Sequence, residues 1–335
     1  MTKILMPSPD SILAPGTGLP RFGTYRGGLP PVDLGVAAKN PLTRIRREKR
    51  WMYFVVTTGE IVFAAAIIRL GYAANAFAFV VDSKQKRTLA DHTVIGLPMA
   101  ASVNERAGEG HVSSFDFLGA HISLKRPRGH DAYGLELKLR DLQVEATFTT
   151  ASAPPAVGVV ADLGGGLFST TEKRALLGVN GLLTVGKQRF SLDGGFAGYD
   201  YTCGLLERHT AWRWGFGLGR AGDGSPVAFN VTEGFVGERE CVVWSGGDVF
   251  PIGPVRFGFS PADPMSPWHV QSEDDVLSLD LDPVGKHEEN KNLGVVRSRF
   301  LQMNGSFRGR IALPGKEIIE VSALPGVTED QDTFW

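Results

Sequence analysis

Cysteine is scarce in this chain, with only Cys203 and Cys241 among 335 residues. Two thiols cannot build a disulfide framework and show no zinc-type spacing, so a reducing compartment is the expected setting. A dominant charge is also missing. Thirty-five basic residues against 36 acidic ones give a formal net charge of -1. That offers no field for a polyanion, and nucleic acid is not an expected partner. The local basic runs at 44–50 and 84–87 read as solvated faces.

Long apolar runs are absent as well. The N-terminal stretch Met1-Thr-Lys-Ile-Leu-Met-Pro-Ser-Pro-Asp breaks after three apolar residues and has no signal-peptide core. The most apolar interval, 55–81, is interrupted by Glu60 and Arg69. A membrane span needs roughly 20 nearly uncharged residues, so no span is expected. These readings predict a cytoplasmic protein. The seven histidines (92, 111, 121, 130, 209, 269 and 287) show neither HxH nor HxxxH spacing, and no metal is expected. Nucleotide loops, a G-x-S-x-G elbow and a GxGxxG fingerprint are lacking too, so no cofactor is expected.

Glycine, by contrast, is abundant. With 42 Gly and 20 Pro, the composition suits short strands joined by tight turns. Residues 1–45 lack periodicity and read as an extended arm. From Trp51 onward the pattern has period two: Leu135, Leu137 and Leu139 alternate with Glu136, Lys138 and Arg140, the mark of half-buried antiparallel strands. Only short pieces such as 171–177 have helical character. A turn-rich interval at 151–166, with Gly164-Gly165-Gly166, is the best boundary candidate. Further strands are expected at 181–185, 189–192, 211–218, 227–231, 240–244 and 255–259. The predicted fold is all-β: an arm over 1–45, an N-terminal β-barrel over 46–165 and a C-terminal β-barrel over 166–335.

The densest candidate cluster is the segment 200–217. In a strand over 211–218, period two puts Trp212, Trp214, Phe216 and Leu218 on one face. A hairpin at 219–225 then brings Asn230 or its neighbours opposite that wall. The next strand carries Glu238 and Glu240 in phase with Val242 and Trp244. Two readings stand. The tryptophans are core with acids at the rim, or they form the wall of a barrel pocket in which Asp200, Glu207 or Glu240, desolvated, acts as general acid or base.

These residues carry a resemblance. Lys49-Arg50-Trp51-Met52-Tyr53-Phe54, Gly71-Tyr72, and Asp200-Tyr-Thr-Cys-Gly followed by Arg208-His-Thr-Ala-Trp212-Arg-Trp214 resemble the bacterial family called domain of unknown function 2804. Asn230 and Glu240 extend the match, which covers roughly 45–325; the family favours Glu-Asn where this chain has Glu240-Cys241. That family is distantly similar to the lipocalin-type double barrels that include carotenoid hydratases and natural-product cyclases. The resemblance implies two tandem antiparallel lipocalin-like barrels. Those hydratases place an Asp-His or Asp-Arg pair where this chain has Ala211-Trp212, so their acid is not carried over.

The resulting expectation is a metal-independent lyase, hydratase, isomerase or cyclase acting on a hydrophobic small molecule. Asp200 is the first choice for proton transfer, with Glu240 and Glu207 as the other acids. Trp212 and Trp214 form the wall, and Arg208, Thr210, Asn230 and Tyr201 complete the substrate-binding set. A lipid- or pigment-binding protein without chemistry and a ligand-free structural protein are the alternatives.

Overall fold

Alternation in the sequence becomes alternation in burial. In the strand Ala132–Leu139 the three leucines are buried while Glu136 and Lys138 are exposed. Its antiparallel partner Leu142–Thr149 sets Val144 against Leu137 and Ala146 against Leu135, so each apolar pair lies on one face. The computed structural model describes residues 4–292, 294 and 296–335. Residues 1–3, the start of the expected arm, lie outside the described residues.

Two antiparallel sheets carry the architecture. The main path of the first runs, in spatial order, Arg87–Gly96, Ala74–Asp82, Ile61–Leu70, Glu48–Thr57, Phe196–Leu205, Leu167–Val185, Leu142–Thr149, Ala132–Leu139, Ala120–Arg126, His111–Phe117 and Ala101–Val103. It curls into a near-closed barrel around Met52, Phe54, Phe63, Leu124, Leu183 and their neighbours. The second runs Asp248–Pro251, Val242–Ser245, Pro226–Gly234, His209–Arg220, Ile319–Phe334, Arg297–Ile311, Leu277–Asn292, Trp268–Ser272 and Val255–Gly258. This half-barrel closes over Phe229, Trp268, Leu279 and Phe307. Among the described residues no helix is long and apolar enough to cross a membrane.

The chain changes sheet between Leu205 and His209, later than the turn-rich interval suggested. Residues 151–166 lie inside the first sheet, leading into and along the strand Val157–Gly164, which pairs with Leu167–Val185. Gly164, Gly165 and Gly166 all have positive φ, so the triplet closes a hairpin. Glycine and proline punctuate hairpins as readily as domain boundaries. The piece 171–177, expected to have helical character, is strand, because Val157–Gly164 and Phe196–Leu205 pair with it from both sides. The arm is not wholly extended either. Asp33 caps a short helix Leu34–Ala37, and Asn40 with Pro41 starts another over Pro41–Arg47. Ahead of them Gly23–Arg26 pairs with Val157–Gly164, which ties the arm to the body.

A bulge in Leu167–Val185 matters for the site. Its register against Phe196–Leu205 shifts between Arg174 and Leu177, and Leu176 takes a positive φ of 60°. One extra residue reverses the facing of all that follows. Beyond the bulge Leu177, Val179 and Leu183 fill the barrel interior. Before it the odd-numbered face turns outward, and Lys173 points away from the barrel core.

Between the two sheets lies a third apolar layer, built from Tyr53, Val55, Ala64, Phe77 and Phe79 on one side and Trp214, Phe216, Leu218 and Trp244 on the other. Strands buried on both faces read as continuous apolar runs, which explains the run Ile61-Val-Phe-Ala-Ala-Ala-Ile-Ile. Gly198 is required here, since a Cβ would lie 2.5 Å from the Phe216 ring.

Candidate functional site

The segment Trp212-Arg-Trp-Gly-Phe-Gly-Leu-Gly alternates large residues with glycine from Trp214 on, and this sets which way the wall faces. The glycine face turns into the second barrel, where Phe257, Phe229 and Leu324 come so close that a Cβ on Gly215 or Gly217 would meet them at 2.5–3.4 Å. The large face therefore turns outward, onto the first barrel. Trp212, Trp214, Phe216 and Leu218 do share one face, as expected. The pocket that Trp212 and Trp214 line lies between the two barrels, not in a barrel lumen, because each interior is packed with apolar side chains.

This cleft measures about 80 Å³. Pockets that enclose drug-sized ligands hold roughly 300–1,000 Å³, so a space of this size is smaller than such a ligand needs. Aromatic rings make its walls. Trp212 stacks on Trp51 with centroids 6.1 Å apart and lies 5.4 Å from Phe235. Trp214 meets Tyr53 edge-on at 5.2 Å. Phe77, Phe300 and Trp335 complete the lining.

The floor is ionic. Lys173 and Asp200 are direct cross-strand partners in the register of Leu167–Val185 against Phe196–Leu205. The Lys173 Nζ lies 2.5 Å from Asp200 Oδ1 and 3.3 Å from Glu240 Oε2. The Asp200 contact is an ion contact, since Oδ1 takes no aligned hydrogen bond. Thr232 Oγ1 donates to the same Glu240 oxygen at 3.1 Å. Burial alone would favour the neutral amine of Lys173, but the carboxyls of Asp200 and Glu240 outweigh it and hold its pKa above the usual lysine range. For Glu240 the loss of water dominates and raises the pKa, against the pull of Lys173.

Glu329 completes the floor. It is 6% exposed. Trp212 Nε1 donates to one of its oxygens and Gln302 Nε2 to the other, both at 2.8 Å. Burial pushes its pKa up to about 7; the two hydrogen bonds oppose the shift, and the charge on Asp200 adds to it. Burial, with the charges of Glu329 and Asp200, likewise holds the Tyr53 phenol well above its ordinary range. A carboxyl whose pKa is held near 7 inside an aromatic cleft can give or take a proton near neutral pH.

The expected site residues divide. Asp200, Glu240, Trp212 and Trp214 meet in the cleft. Asn230 stands behind the wall, accepting from Trp214 Nε1 at 2.8 Å and donating to the Glu240 carbonyl at 2.9 Å. Thr210 props the mouth by accepting from Trp335 Nε1 at 2.7 Å. Glu207 and Arg208 are exposed in the link between the sheets, outside the cleft lining, because period two does not extend through a connecting loop. The Arg208 carbonyl accepts from the Trp335 amide at 2.8 Å. Tyr201 is out of phase with Asp200, so it faces the first barrel's core and donates to the Asn104 carbonyl at 2.8 Å. Glu240 sits in a short 3-10 turn over Gly237–Glu240, with Glu238 exposed, and the strand begins only at Val242.

Lys173 and Glu329 were missed. The first was hidden by the helical reading of 171–177, although its phase with Thr171 and Ala175 marks it as a charge on a buried face. The second lies in Thr328-Glu-Asp-Gln-Asp, which reads as a solvated acidic run. Its alternation with Val327 and Gln331 was the available signal.

The fold and the cleft define a class: an all-β chain of two tandem antiparallel barrels with an N-terminal arm and an aromatic, acid-floored space between them. The chain belongs to the family described as domain of unknown function 2804, whose model matches residues 7–335. Solved structures of the same architecture include CghA, determined with Sch210972. It is 11% identical to this chain, with 97% of each chain covered and a TM-score of 0.53. Kievitone hydratase from Nectria haematococca is 12% identical, with 99% of this chain and 98% of that one covered and a TM-score of 0.50. At such identity the likeness establishes the lipocalin-like fold alone. No curated protein matches the sequence.

Proposed function

We propose that this protein is a metal-independent acid–base enzyme of the lyase, hydratase, isomerase or cyclase type, acting on a hydrophobic small molecule in the inter-barrel cleft. One observation carries the reading. Glu329 holds a carboxyl with a pKa of about 7 among Trp212, Trp214, Phe77 and Phe300, while Asp200 is committed to Lys173. The proton-transfer role assigned to Asp200 from the sequence passes to Glu329, and Asp200 with Lys173 and Glu240 anchors the polar end of the substrate.

In the proposed step the acid form of Glu329 gives its proton to one carbon of a carbon–carbon double bond. The cation developing on the adjacent carbon faces the indole rings, whose quadrupoles stabilise it. Return of a neighbouring proton to the Glu329 carboxylate gives an isomer; attack on the cation by a second double bond of the same molecule, followed by that proton loss, gives a ring; capture of water gives a hydrate and leaves a proton for the carboxylate. A fold neighbour that is a hydratase by name supports this reading by analogy.

The test is to extract purified protein for bound apolar molecules and then incubate it with fractionated unsaturated metabolites, following products by mass spectrometry. Products of unchanged mass or one added water, made by the wild type and reduced at least 100-fold in Glu329→Gln, are expected. A ligand that co-purifies and is never converted would leave a binding protein in place of an enzyme.

A further inference from the structure

Within the cleft the charges do not balance from the protein's own residues. Three buried or nearly buried carboxyls, Asp200, Glu240 and Glu329, line it with a single buried cation, Lys173. Asp200 Oδ1 is taken up by Lys173 Nζ at 2.5 Å, which leaves that cation shared between two carboxyls. Glu240 is 3% exposed, and among the described residues both its side-chain contacts, with Thr232 and Lys173, fall on Oε2. Among the described residues no acids are grouped as ligands for a metal ion. Around them stand ring faces: Trp51 and Trp212 stacked, Phe235 tilted against Trp212, and Tyr53 edge-on to Trp214.

Three carboxyls against one ammonium within a cage of aromatic rings match a positive charge on an apolar body. We infer that the cleft is selective for a ligand carrying a cationic nitrogen, an apolar amine or quaternary ammonium. The inference rests on the reading of the cleft as a ligand pocket and names the class of molecule it takes.

The other ionisable groups near the cleft do not supply the missing charge. Lys49, at the mouth, lies over the Trp335 ring at 5.7 Å and donates to the Arg46 carbonyl at 2.7 Å. His287, behind the wall, stacks on Phe77 at 4.7 Å and is held by Asp91 at 2.6 Å. Arg213 and Arg299 pair with Asp330, whose side chain faces away from the cleft lining. An arriving cation therefore favours ionisation of Glu240 and Glu329 and its binding releases protons, so a ligand whose charge sits against Glu329 is held by the cleft and not protonated by that residue.

The experiment compares benzyltrimethylammonium with its neutral carbon isostere, neopentylbenzene, on the full chain, by quenching of tryptophan fluorescence. At pH 8 the ammonium is expected to bind at least 10-fold tighter. That ratio should shrink at pH 5, where Glu329 is protonated, and calorimetry in two buffers near pH 6.5 should register proton release. Glu329→Gln should cut the ratio to about 3 or less while leaving the neutral isostere's affinity unchanged. Glu240→Gln gives the same readout if that variant does not fold. Glu172→Gln, outside the cleft, should keep the full ratio. Equal affinity for the two probes, or preference for the neutral one, overturns the inference and leaves the pocket standing. Failure of both probes to bind removes the pocket reading and the inference with it.

Discussion

Two buried glutamates in this molecule look alike in sequence and differ in what surrounds them. Glu172, on the barrel-facing side of Leu167–Val185, accepts from the Tyr199 hydroxyl at 2.5 Å and from the Leu29 amide of the arm at 2.7 Å. Glu329 accepts from Trp212 and Gln302. Burial raises the pKa of both. The difference is in the remaining directions. Glu172 lies under the arm, so close to it that a Cβ on Gly28 would come within 3.2 Å of Oε2, whereas Glu329 opens onto an aromatic cleft. A desolvated acid marks a site only where a ligand can reach it.

Breaking the comparison at its active side gives the largest effect. Glu329→Gln keeps the shape and removes the proton, so turnover of a converted substrate should fall by about 10²–10⁴. Circular dichroism should show an intact fold. Unchanged turnover would return Glu329 to the status of Glu172. Next in size is Lys173→Ala. It leaves Asp200 and Glu240 buried against each other without their cation, and denaturant titration should show a loss of about 3–5 kcal/mol. A loss below 1 kcal/mol would mean that water already screens the cluster.

The pH dependence of stability measures the cleft acid directly. The folded-state pKa of Glu329 is raised from 4.5 to about 7. Below pH 4.5 both folded and unfolded chains hold this proton. Between 4.5 and 7 only the folded chain keeps it, and each unit costs the fold about 1.4 kcal/mol. Above 7 the cost levels off at about 3 kcal/mol. Glu329→Gln has no such slope. Its stability relative to wild type should therefore rise by up to about 3 kcal/mol from pH 4.5 to 7, measured by urea unfolding at each pH. A flat difference would show that the carboxylate is hydrated.

Much of the fold was legible because alternation survives wherever one face of a strand is buried. The shared face of Trp212 and Trp214 and the hairpin that returns Asn230 to that strand followed from period two, while its place behind the wall did not. The direction of the shared face did not either, because alternation says which residues share a face and not which body that face meets. Only the glycine partners on the other face, Gly215 and Gly217, decide that. Asp200 and Tyr201 show the same limit at one residue's distance: one reaches the cleft and its neighbour the barrel core. Lys173 depended on a bulge at Leu176 that no local pattern announces.

The smallest effect tests the silent member of the pair. Glu172→Gln keeps the volume but puts an amide where two donors, the Tyr199 hydroxyl and the Leu29 amide, both need an acceptor. One of them must turn away or face another donor, at a cost of about 1–2 kcal/mol. Leu29 belongs to the arm, so the loss should appear locally, as faster hydrogen exchange over residues 23–30, before it appears in global unfolding. Turnover and cleft binding should stay at wild-type levels, because Glu172 and Lys173 point to opposite sides of the same strand. A drop in turnover equal to that of Glu329→Gln would show that the two acids are coupled through the strand and that the barrel interior takes part in the chemistry.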